Sequence, residues 1–452
     1  MRYIAGFSIL SGFLIGFLTN CTYWEGFAVI MFIYFLLEFL YRLGNKIVVF
    51  DLIIVSAVLT WVLMPVIFYH VYPKTNSMAR IWVRYMPIGS DEYFQFAIPS
   101  TLMMIFGLRL PLGRMKVNRN PQTYLQNVMT ELRSKPNTGM ALIGMGLAST
   151  LVKSFAPASL EQVFYLMEHL TYVGFFYVLY SPNKYKRSIV SGILVLLVGQ
   201  ALATGMFGEM VYMMALMATL AIFGRKISYQ TKLIFTICGF LGVIIVQSVK
   251  SDYRAKSWSG TNGADPVYFA ELLTDKVTSP SAFIESNKLF FVAVRFNQGW
   301  LIANTMKKVP EKFPFANGET IWQSVAASFV PRFLWPGKPE SGGKANLKRF
   351  WGYEIRGYSM NIGPAGEAYA NFGVIGGIIY MFFYGVFFNL LLSIILKLTE
   401  KRATLILWLP FLFIYAISVE TDLLTTMNSL LKAMLFTWIV FKVFKIGFRI
   451  DL

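Results

Sequence analysis

The sequence predicts an all-α integral membrane protein with about 12 transmembrane helices and one large extracytoplasmic loop. Hydrophobic residues make up 56% of the 452 residues, charged residues only 14%, and the mean hydropathy is +0.56. Soluble domains carry about 25% charged residues, so this composition favours a membrane protein. The length of the apolar runs and the placement of the positive charges support the same prediction.

Apolar runs long enough to cross about 30 Å of hydrocarbon at about 1.5 Å per helical residue recur along the chain. They predict helical spans at 3–19, 23–41, 47–69, 93–108, 138–152, 160–180, 188–204, 208–223, 233–249, 373–396, 403–419 and 427–444.

A net charge of +18 is also typical of proteins that bind nucleic acid, but its placement argues against such a partner. Lys and Arg are concentrated in alternate loops, above all in 109–137, while the short loops between them are poor in both. This is the bias that membrane proteins show for positive residues in cytoplasmic loops. It predicts that both termini are cytoplasmic, and it accounts for most of the charge.

The chain divides into a membrane bundle (1–249), a long extracytoplasmic loop (250–372) and a second bundle with a short tail (373–452). A structureless loop of this length is unusual. Amphipathic patterns predict helices at 284–308 and 318–330, after an irregular polar entry at 251–266. Gly363 and Pro364 have the pattern of a helix start.

The segment 330–339, VPRFLWPGKP, contains three prolines, which remove backbone donors and predict a rigid turning segment. Within the same loop, Arg295, Arg332 and Lys338 form a set of cations suited to phosphate oxygens. Their alternative role is contact with lipid headgroups, with Trp335 as an interfacial anchor.

Glu367 follows in GPAGEAYANFG, where a carboxylate is favoured by the helix dipole. The functional alternative is a general base or a group that orients an acceptor, with Tyr369 and Asn371 as hydrogen-bonding neighbours. Glu168, His169 and Glu209 are ionisable residues in or beside predicted spans, which usually face a cavity.

Neither a metal site nor a bound cofactor is predicted. The two histidines, His70 and His169, and the two cysteines, Cys21 and Cys238, are far apart in sequence, and no P-loop or GxGxxG motif is present.

Four motifs in order resemble the O-antigen polymerase family, the oligosaccharide repeat-unit polymerases of the Wzy type. They are Arg-Phe-Asn at 295–297, PFANGET at 314–320, PRFLWPGKP at 331–339 and GPAGEAYANFG at 363–373. The resemblance covers about 80 residues. It implies a GT-C-like helical fold in the bacterial inner membrane, with the large loop in the periplasm.

The resemblance also implies a reaction. A growing glycan would pass from polyprenyl pyrophosphate to a lipid-linked repeat unit, with inversion and without a metal. Arg332, Lys338, Arg295 and Arg254 would neutralise the leaving pyrophosphate, and Glu367 would orient or deprotonate the acceptor hydroxyl. Partners of such enzymes include membrane lipid, a chain-length regulator and a flippase.

The sequence departs from the family at 203–210, ATGMFGEM, where relatives often carry an arginine. Alternatives to the polymerase remain open. A glycan ligase of the same superfamily fits the same motifs, a polysaccharide flippase or transporter fits the number of spans, and a scaffold for envelope synthesis fits the basic loop 109–137.

Overall fold

A computed structural model describes residues 2–19, 21–112, 120–153, 155–157, 160–205, 207–258, 265–278, 288–356, 358–450 and 452. Much of the basic segment RLPLGRMKVNRNPQ, and the first residues of the helix predicted at 284–308, lie outside these ranges. Within them the regular structure is helical, which agrees with the predicted all-α class.

The first half of the chain forms eleven described helices, namely α1 (Arg2–Thr19), α2 (Tyr23–Arg42), α3 (Val49–His70), α4 (Ser77–Ile81), α5 (Ser90–Arg109), α6 (Pro121–Arg133), α7 (Thr138–Lys153), α8 (Glu161–Glu168), α9 (Leu170–Tyr180), α10 (Lys186–Thr204) and α11 (Phe207–Ile222). The second half forms α12 (Tyr229–Trp258), α13 (Pro266–Thr278), α14 (Lys288–Phe296), α15 (Gly299–Lys308), α16 (Glu319–Phe329), α17 (Lys344–Trp351), α18 (Gly363–Leu398), α19 (Ala403–Ile417) and α20 (Leu423–Gly447).

Five of the described helices are long and apolar enough to cross a membrane, namely α2, α3, α10, α12 and α18, and α1, α7, α11 and α19 contain shorter apolar stretches. Each of the predicted spans coincides with helical residues, although the predicted span 160–180 is divided between α8 and α9. The chain therefore has the character of a membrane protein, while the total of 12 spans stays a prediction.

Three details of the predicted loop differ from the structure. Residues 251–258 continue α12 and are not an irregular entry. The predicted helix at 284–308 is two helices, because Asn297 interrupts it and its Oδ1 accepts the Trp300 N–H (3.1 Å). Helix α18 begins at Gly363, as the Gly363–Pro364 pattern predicts, but the predicted end of the loop at 372 falls inside this helix, next to its kink at Gly373, whose φ of 66° is left-handed.

Two other predictions for this loop are confirmed. Helix α16 matches the predicted segment 318–330. The proline-rich segment is a series of turns, in which the N–H groups of Leu334 and Trp335 donate to the carbonyl of Pro331 (3.1 and 3.2 Å).

The core of the bundle is the crossing of α5 and α18, where glycines let the two backbones approach. A Cβ on Gly107 would collide with the backbone around Phe382, and a Cβ on Gly385 would collide with the backbone of Met104. Asn389 fixes the end of α5 by donating to the carbonyls of Gly107 (3.0 Å) and Leu110 (2.8 Å). This close packing holds the first turn of α18, and Glu367 with it, in a defined position.

Candidate functional site

Three cations meet where α12 and α14 come together, and we call Lys250, Arg254 and Arg295 the Arg295 cluster. Lys250 and Arg254 are one helical turn apart on α12, so they share a face. All three lie close enough for their charges to repel one another. The structure thus brings together Arg254 and Arg295, as the family resemblance implies, and adds Lys250.

Aromatic packing anchors this part of α12. Tyr253 is fully buried, its ring packs against Phe207 (6.0 Å between centroids) and Phe269 (5.2 Å), and its hydroxyl donates to the carbonyl of Leu202 (2.9 Å). Because Tyr253 is adjacent to Arg254, these contacts also fix the backbone that carries the arginine. The Nε of Arg254 donates to the carbonyl of Gly205 (2.7 Å), which ties the cluster to the turn before α11.

Glu420 is the carboxylate at this cluster. Its Oε2 forms an ion pair with Nη2 of Arg295 (2.7 Å), and its Oε1 accepts the hydroxyl of Tyr212 (2.5 Å). The charge of Glu420 raises the pKa of Arg295 above its usual value, so the guanidinium stays charged. About a third of the Arg295 side chain (34%) is exposed and open to a ligand. The three positive groups of the cluster therefore gather around the ion pair of Arg295 with Glu420.

A hydrogen-bonded network around Glu209 lies beside the cluster. A Cβ on Gly208 would lie 3.9 Å from Nη2 of Arg295, so the first turn of α11 is adjacent to this arginine. Oε1 of Glu209 accepts the hydroxyl of Tyr165 (2.6 Å) and contacts Nε2 of His169 (2.9 Å). The Tyr165 hydroxyl also meets that of Tyr415 (2.6 Å).

The geometry of His169 fixes a proton in this network. Nδ1 lies 2.8 Å from the carbonyl oxygen of Tyr165, and a carbonyl only accepts, so Nδ1 carries a hydrogen. Nε2 lies 2.9 Å from Oε1 of Glu209, so the ring bridges the carbonyl of Tyr165 and the carboxylate of Glu209.

Arg332 and Lys338 lie apart from the Arg295 cluster. Together with Lys432 they form a group that we call the surface cation patch. Arg332 is exposed, and Nζ of Lys338 donates to the carbonyl of Val330 (3.0 Å). Burial and the charges of Lys432 and Arg332 lower the pKa of Lys338. Phe333 beside Arg332 is 80% exposed. Among the described residues, no hydrogen bond or ion pair joins this patch to Arg295.

Glu367 is fully buried, which the sequence did not predict. Its Oε2 accepts the N–H of Leu423 (2.9 Å), and its Oε1 accepts from Nδ2 of Asn346 (3.2 Å). The same amide also donates to Oδ2 of Asp422 (3.4 Å). Burial raises the pKa of Asp422. In this conformation Glu367 joins α18 to the start of α20, close along the chain to Glu420.

Tyr369 and Asn371 contact protein groups rather than an open cavity. The ring of Tyr369 packs edge-on against Phe96 (5.2 Å between centroids). Nδ2 of Asn371 donates to Thr320 Oγ1 (2.7 Å), and its Oδ1 accepts the N–H of Gly318 (3.1 Å). Tyr369 thus packs the start of α18 against α5, and Asn371 holds it against the start of α16.

A protein-family model of a domain of unknown function, DUF8712, matches residues 113–395. The match covers more than half of the chain. The protein belongs to the DUF8712 family. No curated protein and no solved structure matches the chain. The DUF8712 segment contains the Arg295 cluster, Arg332, Lys338 and Glu367, whereas Glu420, Asp422 and Lys432 follow it.

Sequence reasoning missed several residues of this candidate site. Lys250 was omitted because the apolar run that predicts this span ends at 249. The four-residue spacing of Lys250 and Arg254, which puts both on one face of a helix, could have identified it. Glu420 and Asp422 are visible as an acidic loop, but their partners Arg295 and Glu367 are distant in sequence. Only the fold brings them together.

We expect Glu367→Gln to act mainly on stability. Both carboxylate oxygens accept N–H hydrogens, and an amide would turn its own NH₂ towards one of these donors. A buried donor without an acceptor costs about 1–3 kcal/mol. The free energy of unfolding in detergent should fall by about that amount, while exposed Glu271→Gln should leave it unchanged. A Glu367→Gln protein as stable as the parent, but inactive at every pH, would instead indicate a chemical role.

Proposed function

We propose that this protein is a polysaccharide polymerase that transfers a growing glycan from polyprenyl pyrophosphate to a lipid-linked repeat unit. The observation that carries the proposal is the Arg295 cluster. It brings Lys250, Arg254 and Arg295 close enough for their charges to repel one another, with the carboxylates of Glu420 and Glu209 beside Arg295. The negative charge of a lipid-linked pyrophosphate would relieve this repulsion, and arginine binds phosphate oxygens with two parallel N–H groups.

In the proposed reaction the acceptor hydroxyl oxygen attacks the anomeric carbon of the donor. The bond from that carbon to the pyrophosphate oxygen breaks, and the pyrophosphate leaves with the bonding electrons. Arg295, Lys250 and Arg254 stabilise the charge that develops on the leaving group. The side chain of Glu209 is 37% exposed and lies beside Arg295, so it is suited to orient the hydroxyl and receive its proton.

This proposal changes two roles that the resemblance implies. Glu367 holds the loop that carries Glu420 and Asp422, and is not itself the base. Arg332, Lys338 and Lys432, beside exposed Phe333 and Leu334, contact lipid headgroups, where aromatic and basic side chains are common. The proposal keeps about 12 spans, a GT-C-like arrangement, cytoplasmic termini and a periplasmic loop in a bacterial inner membrane.

The His169–Glu209 pair favours a second candidate, a proton-coupled transporter of lipid-linked glycans. Nε2 of His169 contacts Oε1 of Glu209 (2.9 Å), and paired intramembrane ionisable groups are typical of proton relays in transporters. A ligase that uses the same donor differs from the polymerase only in the acceptor.

One experiment separates these functions. Purified protein is mixed in detergent with lipid-linked repeat units extracted from the organism that encodes it, and the products are separated by glycan length. A polymerase yields a ladder of longer glycans and free polyprenyl pyrophosphate. Units of unchanged length, together with their translocation in reconstituted vesicles, would support the transporter. Transfer only to a different added acceptor would support the ligase.

A further inference from the structure

Three potential metal ligands converge at the junction of α2 and α3, remote in sequence from the site described above. Cys21 precedes α2, Glu25 lies in its first turn, and His70 is the last residue of α3. Nε2 of His70 is 3.8 Å from Sγ of Cys21 and 3.1 Å from Oε2 of Glu25. The three ligand atoms all lie within 4.8 Å of one another.

Local structure fixes two of these ligands. Glu25 belongs to a capping box, in which its Oε2 accepts the N–H of Thr22 (2.8 Å) and its own N–H donates to Thr22 Oγ1 (3.4 Å). His70 is carried by the end of a long helix. The carboxylate is buried, whereas 40% of the His70 side chain is exposed. The cluster therefore has a preorganised inner side and an open outer side.

The separations suit a tetrahedral ion. Zinc–sulfur bonds of about 2.3 Å and zinc–nitrogen or zinc–oxygen bonds of about 2.0 Å put neighbouring ligand atoms about 3.3–3.6 Å apart. The observed 3.1 and 3.8 Å lie on either side of this range. Without an ion, a single hydrogen on Nε2 serves only one of its two neighbours, Sγ or Oε2.

We propose that Cys21, Glu25 and His70 bind a divalent ion of the zinc type, with a fourth position open to solvent. A thiolate and an imidazole select zinc-like ions over Mg²⁺ and Ca²⁺, which prefer oxygen ligands. On binding, the Cys21 thiol loses its proton to solvent and sulfur donates an electron pair to the metal. The ion would link the start of α2 to the end of α3.

Cobalt titration of the full-length protein in detergent tests this site, since Co²⁺ replaces Zn²⁺ and gives a charge-transfer band when a thiolate binds it. We expect the band to saturate at one equivalent and to disappear when Zn²⁺ is added. Cys21→Ser and His70→Gln should lose the band. Cys238→Ser is the matched control, because it removes the other cysteine, which is exposed on α12, and should keep the band.

A second measurement avoids changes at the ligands. In the Cys238→Ser protein, Cys21 is the remaining cysteine, and Zn²⁺ should slow its labelling by a maleimide while Mg²⁺ should not. The proposal is overturned if the parent protein shows no cobalt–thiolate band, if Cys21→Ser retains it, or if Zn²⁺ leaves the labelling rate unchanged. The band and the labelling rate do not depend on glycan transfer.

Discussion

Arg295→Ala should lower the rate of glycan elongation by about 100-fold or more. Removal of one donor that stabilises charge in the transition state costs about 10²–10³ in rate. Arg295 is the cation of the cluster that joins α14 to Glu420, and about a third of its side chain (34%) is exposed. Arg295→Lys keeps the charge but loses the planar pair of donors, so its rate should fall between those of the parent and Arg295→Ala. The measurement is the initial rate of product formation from lipid-linked repeat units.

Two controls separate this effect from a general loss of structure. Arg349→Ala removes an arginine from another ion pair of the same loop, with Glu319 (3.6 Å), and should leave the rate near that of the parent. Arg295→Ala also leaves Glu420 without its guanidinium, so the rate is measured again in Arg295→Ala/Glu420→Gln. Full recovery in this double variant would mean that Arg295 merely neutralises Glu420.

Arg332→Ala provides the comparison between the two groups of cations. The family resemblance implies that Arg332, Lys338, Arg295 and Arg254 neutralise the pyrophosphate, whereas we propose that the Arg295 cluster does so without Arg332 and Lys338. A normal rate of elongation in Arg295→Ala, together with a large loss of rate in Arg332→Ala, would indicate that the leaving pyrophosphate binds at the surface cation patch.

Local sequence signals predicted the helices well because they depend on neighbouring residues. Apolar runs identified the helices of both bundles, proline chemistry predicted the turns at 330–339, and Gly363–Pro364 predicted the start of α18. The errors occurred where tertiary contacts decide the outcome. Polar residues 251–258 continue a helix because Tyr253 packs against Phe207 and Phe269.

The site was harder to predict because its partners are distant in sequence. Arg295 was identified, but its carboxylate partner follows the next long helix, α18. Glu367 has the sequence pattern of an accessible base, yet the fold buries it against Leu423 and Asn346. Residue type and spacing indicated the chemistry available to the loop, while packing decides which groups a substrate can reach.

A second charged network shows the same limit of sequence reasoning. Arg42 and Arg109 contribute to the positive bias of the predicted cytoplasmic loops. The sequence argument counts both as solvent-exposed charges. In the structure they form ion pairs with two buried carboxylates. Arg109 pairs with Glu38 (2.7 Å) and Asp51 (3.2 Å), and Arg42 pairs with the same two residues (3.3 and 3.0 Å). The network joins α2, α3 and α5.

Arg109→Met should lower the free energy of unfolding by about 3–5 kcal/mol, because removal of one partner leaves buried charge uncompensated. Glu38 and Asp51 are 1% and 5% exposed at their side chains, and Arg42 alone would then face both. Unfolding by SDS in mixed micelles measures the effect, with exposed Arg133→Met as the matched control. Asp51→Asn added to Arg109→Met removes the excess negative charge and should restore part of the loss. Equal stabilities of the Arg109→Met and Arg133→Met proteins would show that the network does not stabilise the bundle.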